Sequence, residues 1–220
     1  MRLVVIFTLL FSFSGVSQHD FETWTKAGFD YKIKKGVHAE LELNSRFDNQ
    51  GLATLFPQLG LEYKLTKWLK PSIEYRFVLD RNKIGNYKPY SRLNFNLNFG
   101  EDIDRLSLGA RIRYQYAFNS LSQGAYDADF DMAFRFKPSV KYDINDFPLS
   151  PEASVEVFYN PLAGGPYRPG FDKVRYAVGV ELDKKGPHGA GIKYQLDKKF
   201  HDYNANLRHV IALSYSFDIN

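Results

Sequence analysis

The sequence contains no cysteine, and this absence excludes two kinds of structure. The chain can form neither a disulfide framework nor a thiolate metal site. It also has no block of basic residues, since its 29 Lys and Arg are spread along the chain, and this argues against a nucleic-acid-binding protein. We therefore expect no metal, no cofactor and no nucleic-acid partner. The lack of cysteine does not fix the compartment, because many exported proteins have no disulfides.

Long apolar runs are also scarce. After the first residues no stretch is apolar enough for a transmembrane helix, and no helical pattern is convincing. What the chain has in quantity is aromatic side chains, which make up 16% of its 220 residues and are mostly Phe and Tyr. Such flat side chains pack well on the pleated surface of a β-sheet. No linker or change in composition divides the chain, so we expect a single β domain.

The first 17 residues have the layout of a secretory signal peptide. Met1-Arg2 gives a short positive start, and residues 3–13 form the apolar run LVVIFTLLFSF. Residues 14–17 then place small side chains where a signal peptidase cleaves. We expect cleavage after Ser17, which makes residues 1–17 the signal peptide and residues 18–220 the folded domain. No Cys follows the apolar run, so a lipoprotein is not expected.

The pattern that organises the rest of the chain is clearest in residues 105–118, RLSLGARIRYQYAF. Its even positions are apolar or aromatic, and its odd positions are polar or glycine. Only a β-strand places alternate residues on opposite faces. The same alternation recurs in about eleven stretches, which are joined in turn by short and long connections. The sequence therefore predicts an all-β fold, an up-and-down antiparallel β-barrel of 10–12 strands.

Three features favour a barrel whose apolar face points outward. A barrel of ten or more strands is wide for an all-apolar core, so a polar lining is expected. Aromatic residues lie near both ends of the apolar rows, like the girdles that flank a bilayer. Short turns at one end and long loops at the other match the periplasmic and external ends of an outer-membrane barrel. We therefore predict a transmembrane, porin-like barrel in the outer membrane of a Gram-negative cell, surrounded by lipid.

Two points stay open at this stage. A soluble exported ligand-binding barrel also shows alternation, with its apolar face inward, and it is the alternative to the membrane prediction. The strand number is the second point, because bacterial outer-membrane barrels have an even number of strands with both termini periplasmic. Since eleven stretches are counted, we expect ten or twelve strands. Either one strand is merged or missed, or the first stretch is not a full strand of the wall.

Several short motifs resemble a known family. In chain order they are Trp24, FYNP at 158–161, DKVRY at 172–176, then Gly179, Glu181 and Leu182, and finally Arg208-His209 before the last strand. With its strand layout, the chain resembles an uncharacterised family of outer-membrane barrels, catalogued as domain of unknown function 2490. The resemblance implies an outer-membrane location over nearly the whole folded domain. It brings no known activity, cofactor or catalytic residue.

A row of carboxylates precedes one of the strands. Asp127, Asp129 and Asp131 lie two apart, so they share one face, and crowded carboxylates need counter-charge. We expect Arg113 to lie close to Asp131 across the hairpin. The favoured interpretation is a mixed-charge ladder that fills and rigidifies the lumen. A divalent-cation site built from the aspartate oxygens is the alternative.

Further charges lie at positions that face the lumen. Counting along the hairpins places Glu74 opposite Arg92, and Lys64 opposite Glu40. The complete predicted network consists of Glu74, Arg92, Arg111, Arg113, Asp129, Asp131 and Arg135. Such a network predicts a charged, largely filled lumen.

Four apolar residues next to the long loops break the alternation, because they occupy positions at which the pattern places polar, inward-facing side chains. They are Phe56, Val78, Tyr90 and Phe158. We expect them to form an apolar collar just inside the external mouth. The collar would be a small satellite core that fixes the loops, or a site for a hydrophobic ligand.

An enzymatic function is the weaker alternative. An outer-membrane hydrolase, lipase-like or protease-like, would need a nucleophile with a positioned base at the external mouth. No Ser lies at a recognisable spacing from His38, His188, His201 or His209, so we name no catalytic residue. The expected function is that of a monomeric barrel with a structural role, or one that binds or passes a small solute or a hydrophobic ligand.

Overall fold

The computed structural model describes residues 20–82, 84–118, 132–161, 169–182, 186–200 and 207–219. The predicted signal peptide at 1–17 and the carboxylates Asp127, Asp129 and Asp131 lie outside these ranges. Within them, no helix is long and apolar enough to cross a membrane. The strands are β1 (Asp20–Lys34), β2 (Val37–Asp48), β3 (Gly51–Tyr63), β4 (Leu69–Arg81), β5 (Tyr87–Ile103), β6 (Leu106–Phe118), β7 (Met132–Tyr142), β8 (Leu149–Asn160), β9 (Gly170–Leu182), β10 (His188–Lys199) and β11 (Arg208–Ile219).

These strands close into one barrel in which every strand pairs with its neighbours in the sequence. Ten of the strand pairs are antiparallel. Closure leaves no edge unpaired among the described strands, so the backbone hydrogen bonds of the wall are satisfied within it. The predicted up-and-down antiparallel β-barrel is confirmed.

The barrel is closed by a parallel pair. β1 lies beside β11, with Asp20 opposite Arg208 and Tyr31 opposite Ile219. The barrel formed by the described residues therefore has eleven strands, inside the predicted range, while the expectation of an even number is wrong. The first stretch is a full wall strand of 15 residues, and edges that run in the same direction can also exchange backbone hydrogen bonds. As a result, β1 starts at the loop end of the barrel and β11 finishes at the short-turn end.

The two faces of the wall differ in polarity, as β6 illustrates. Leu108, Ile112 and Tyr116 lie on the outer face and are 40–43% exposed, whereas Arg113 and Gln115 point inward and are 2% and 3% exposed. The soluble alternative requires the opposite orientation. The apolar face of this barrel points outward, and its charged face is buried around the axis.

Aromatic residues pair at both ends of the outer face. At the short-turn end, the rings of Trp68 and Phe99 stack with their centres 6.1 Å apart. At the loop end, Tyr159 and Phe171 meet edge to face at 5.4 Å. Aliphatic side chains lie between these ends, for example the exposed residues Leu41, Leu43, Leu59, Leu61, Ile112, Ile192 and Leu213.

The register of the strands departs from two of the expected pairings. Glu74 lies opposite Asn94, and Arg92 lies opposite Arg76, so the Glu74–Arg92 pairing is wrong. The loop between β4 and β5 is 82–86, and its centre sets this register. Glu40 lies opposite Gly60 rather than Lys64. Here the reason is a two-residue turn at 49–50 in place of the expected loop at 48–54.

Candidate functional site: the lumen of the barrel

Among the described residues, two cavities of similar size lie in the lumen. The cavity at the short-turn end has a volume of about 620 Å³, and the cavity at the loop end has a volume of about 630 Å³. Glu40, Glu74 and Arg111 line both of them. These three residues therefore mark the level at which the two cavities meet.

Glu74 on β4 is one of two carboxylates that organise the charges at this level. Its oxygens accept hydrogen bonds from Arg113 Nη2 at 2.5 Å and from Arg76 Nη2 at 3.1 Å. Arg113 also donates from Nε to Asn96 Oδ1 at 2.6 Å. Because Arg113 lies on β6, its bond to Glu74 passes over β5 inside the barrel. Such a contact narrows the lumen as well as neutralising the buried guanidinium.

Glu156 on β8 is the second of these carboxylates, and its side chain is almost fully buried. It accepts hydrogen bonds from Arg111 Nη2 at 2.7 Å and from Arg135 Nη2 at 2.8 Å. A third guanidinium, Arg175 on β9, lies 3.8 Å away. The bond from Arg111 passes over β7, as the one from Arg113 passes over β5. The two carboxylates therefore hold four arginines in a belt around the middle of the lumen, which we call the central belt: Glu74, Arg76, Arg111, Arg113, Arg135 and Glu156.

The structure brings four of the seven predicted network residues into the central belt. They are Glu74, Arg111, Arg113 and Arg135, while Asp129 and Asp131 lie outside the described residues. Arg92 lies opposite Arg76 but donates to Tyr90 instead of to either carboxylate of the belt. Glu156 was not among the predicted network residues, although its alternation with Val155 and Val157 was the available signal for a lumen position. What the alternation could not show was that Glu156 would meet arginines from three other strands.

A second ion-pair cluster lies near the loop end and was also missed. Arg175 Nε and Nη2 donate to the two carboxylate oxygens of Asp197 at 2.6 and 2.7 Å. Lys173 Nζ lies 3.6 Å from the same carboxylate. On the next two strands, Arg208, which lies opposite Asp197 in the β10–β11 pair, places its Nε 3.1 Å from Glu22. These pairs give a carboxylate partner to three of the twelve cations that line the loop-end cavity.

The four residues of the predicted collar all face the lumen, and each is at most 8% exposed. They form two groups rather than one ring. Phe56, Val78 and Tyr90 pack together with Ala117 in a buried cluster. Phe158 lies apart from them, and its ring centre is 4.4 Å from both Arg135 Cζ and Lys173 Nζ. The collar is therefore part apolar cluster and part surface for stacking of cations.

Two histidines hydrogen-bond to tyrosines on the outer face. The Nδ1 atom of His188 lies 2.7 Å from Tyr215 Oη, and that of His209 lies 2.6 Å from Tyr194 Oη. His38 lines the short-turn cavity, and His201 is not among the described residues. In the part of the chain that the structure covers, no three His, Cys, Asp or Glu side chains come together as metal ligands would.

Comparison with solved structures gives two crystal structures of a Pseudomonas aeruginosa protein, OccK3 (OpdO). Their sequences are 14% and 13% identical to this chain, each with a TM-score of 0.43 and a match over 79% of this chain. The chain spans about half the length of those proteins, 51% in both cases. Likeness at this level indicates nothing about what the present protein binds. The comparison with curated proteins found no match.

The comparison with family models is more informative. One model, described as "Protein of unknown function (DUF2490)", matches residues 21–206. The match extends from the first strand to the connection before the last one, so it includes the central belt and every cavity-lining residue except those of β11. It confirms the resemblance that the sequence motifs indicated. The chain belongs to the DUF2490 family.

Proposed function

We propose that this protein is a small monomeric β-barrel of the bacterial outer membrane, and that its charged lumen binds or passes a small solute. The observation that carries the proposal is the polarity of the wall. Apolar side chains such as Leu43 are half exposed on the outside, while Arg113 and Glu156 are buried inside. In water such an outer surface would be unfavourable, whereas in a bilayer it is the surface that lipid requires.

Export and assembly fit the same proposal. Residues 1–17 would direct the chain out of the cytoplasm and be removed after Ser17. The described strands form a closed wall that offers no strand edge to a partner, and the aromatic residues at both ends of the outer face suit the two membrane interfaces. Lipid would then be the main partner of the outer surface, and cations near the loop end, such as Arg81 and Lys88, would lie at the level of the headgroups.

The role in solute binding rests on the two cavities. Each is large enough for a small molecule, and both are lined mainly by charged and polar side chains. All six residues of the central belt line the loop-end cavity, and two of them, Glu74 and Arg111, also line the short-turn cavity. The barrel is therefore neither empty nor completely filled. A ligand of this lumen would therefore be small and polar or charged, in line with a porin-like or solute-binding role.

Neighbouring residues on β2 provide a matched test of the membrane location. Leu43 is 51% exposed on the outer face, and Asn44 faces the lumen, where it donates to Glu42 at 3.2 Å. In a bilayer, Leu43→Lys should lower the free energy of unfolding by about 2–4 kcal/mol. Asn44→Lys should cost far less, because its side chain lies in the polar lumen rather than against lipid. The measurement is urea unfolding in phospholipid vesicles.

A soluble barrel would give a different result. If Leu43→Lys were harmless and the folded protein stayed monodisperse in buffer without detergent, the outer face would be in water and the proposed location would be wrong. Reconstitution into planar bilayers adds a second measurement. Stepwise conductance would show a pore, and saturable binding without conductance would show a solute-binding barrel.

A further inference from the structure

The loop-end cavity contains more positive charge than its own carboxylates neutralise. Twelve Lys and Arg line it against seven Asp and Glu. Nine of the twelve cations have a carboxylate within ion-pair distance. Among the described residues, three cations have no such partner, namely Arg46, Arg92 and Lys137.

Arg46 is held in place by aromatic rings rather than by acids. Its guanidinium carbon lies 4.1 Å from the ring centre of Trp24 and 5.3 Å from that of Phe56. A guanidinium that stacks through its face keeps its N–H groups directed sideways, where they can bind a carboxylate or phosphate. Arg46 also lies beside a shift in register between β2 and β3. Such β-bulges re-aim side chains at the rims of barrels.

Arg92 has one neutral partner and one unsatisfied donor. Its Nη2 donates to Tyr90 Oη at 3.1 Å, while its Nε is buried and makes no hydrogen bond. A buried N–H without an acceptor is unfavourable, and a charged one more so. Arg46 lies close enough to Arg92 and Arg175 to be repelled by both. Of these three arginines only Arg175 has carboxylates within ion-pair distance, namely Asp197 and Glu156, so Arg46 and Arg92 are the two whose charge is not neutralised.

We propose that the loop-end cavity is a binding site for a small organic oxyanion. Its carboxylate or phosphate group would be held between Arg46 and Arg92, and its apolar part would lie against Trp24, Phe56 and Tyr90. Such a ligand satisfies the free guanidinium donors and uses the aromatic lining, which neither an inorganic ion nor a neutral hydrophobic molecule does. This inference rests on the proposed solute-binding role and gives it a chemical class.

Trp24 offers a direct reporter of the site. The chain has only two tryptophans, and Trp68 lies at the short-turn end against Phe99. In a Trp68→Phe background, the fluorescence of the folded protein in detergent comes from Trp24 beside Arg46. Titration with benzoate and with phenyl phosphate should change it saturably, and the tighter of the two identifies the preferred head group. Inorganic phosphate tests the head group alone, and benzyl alcohol tests the apolar part alone. Each should bind more weakly than the preferred anion.

Variants of the two arginines test the geometry. In the same background, Arg46→Gln and Arg92→Gln should each weaken binding of the preferred anion at least about tenfold, the usual effect of losing a charge-assisted hydrogen bond. Arg46→Lys keeps the charge but loses the stacked fork, so its affinity should lie between that of the background protein and that of Arg46→Gln. Lys70→Gln is the matched control, because it removes a cation that lines only the short-turn cavity. Its affinity should equal that of the background.

Several results would overturn the inference. They are no saturable change with either anion, equal loss in the Lys70→Gln control, and binding of benzyl alcohol as tight as that of benzoate. The last result would point to a hydrophobic ligand instead. If Arg46→Gln does not fold, calorimetric titration of Arg92→Gln and Arg46→Lys decides the same question. Binding in detergent depends neither on membrane location nor on conductance, so failure here would leave the Leu43 and Asn44 comparison intact, and the reverse also holds.

Discussion

The loop-end cavity is lined by residues of all eleven strands and the short-turn cavity by residues of β1–β6 and β11, and the two cavities differ in charge. The loop-end cavity has an excess of cations, as described above. The short-turn cavity is lined by Lys32, Lys70 and Arg111 against five carboxylates, Asp30, Glu40, Glu62, Glu74 and Asp218. The lumen is therefore polar along its axis, positive near the loops and negative near the turns. Alternation in a strand decides only that a side chain faces inward. The end of the barrel at which a charged side chain lies decides the electrostatic field that a solute meets there.

The central belt lies where these two regions meet, and the largest effect on stability is expected there. Glu156→Gln would leave Arg111, Arg135 and Arg175 without a shared carboxylate inside the lumen. Removing one partner of a buried ion pair costs about 3–5 kcal/mol, so the free energy of unfolding should fall by that amount. The measurement is urea unfolding in vesicles.

Glu62→Gln is the control for the belt, since Glu62 is half-buried in the short-turn cavity and receives only a weak bond from Asn98 at 3.4 Å. Its cost should stay within about 0.5 kcal/mol. Equal costs for the two variants would show that the belt is no more important to stability than the cavity walls, and the contrast between the regions would fail.

Alanine substitution of glycines inside the barrel should have an intermediate effect on stability. A Cβ at Gly179 would lie 2.5 Å from the carbonyl oxygen of Ile192 and 2.6 Å from Lys193 Cγ, whereas at Gly28 the nearest atom would be 3.6 Å away. Gly179→Ala should therefore destabilise the protein by about 1–3 kcal/mol. Gly28→Ala should be neutral or slightly stabilising.

A Cβ at Gly179 would press on Lys193, whose Nζ lies 2.5 Å from Glu152 and 3.1 Å from Glu181. The alanine variant would therefore disturb these ion pairs as well. Thermal unfolding in detergent compares the two alanine variants. A stable Gly179→Ala protein would show that the wall can shift there, and that the lumen is less tightly packed on this side than the distances indicate.

The smallest effect on stability is expected at the two rims of the barrel. At the loop end, Arg81 Nη2 contacts both carboxylate oxygens of Asp48, at 2.6 and 2.5 Å. At the turn end, Ser107 Oγ donates to Asp102 at 2.5 Å. Arg81→Gln should cost about 0.2–1 kcal/mol, as for other surface ion pairs, and this cost should decrease as salt is added.

Ser107→Ala provides the comparison at the opposite rim, because it removes a hydrogen bond without removing a charge. The free energy of unfolding is measured for both variants at low and at high salt. The cost of Arg81→Gln should depend on salt, and that of Ser107→Ala should not. A cost for Arg81→Gln that did not change with salt would mean that packing, not charge, holds the loop-end rim.

The sequence predicted the fold well where the signal was local. The alternation of residues 105–118 predicted β6 and the inward direction of Arg111 and Arg113, because side chains on a strand alternate between its faces whatever their partners are. The placement of Glu74 and Arg92 in one pair failed, since register depends on where a turn is centred. An even strand number was expected from bacterial barrels in general, and it failed because a parallel pair can also close the wall.

The candidate site was predictable only in part, for the same reason. The alternation pattern identified Phe56 and Tyr90 as residues that face the lumen. It could not show that Phe158 would lie apart from them, against Arg135 and Lys173. The partner of Arg111 comes from a strand that is not its neighbour, so hairpin arithmetic could not find it.

By itself, the sequence determined an all-β chain with one apolar and one charged face, because two-residue periodicity is a property of each strand alone. The tertiary structure decided which charges meet, how the barrel closes and which of the described cations are left without an acid. These outcomes depend on the alignment of eleven strands and on contacts across the lumen. The stacking of Arg46 on Trp24 is one of them, since it depends on the register that places these two residues opposite each other in the β1–β2 pair.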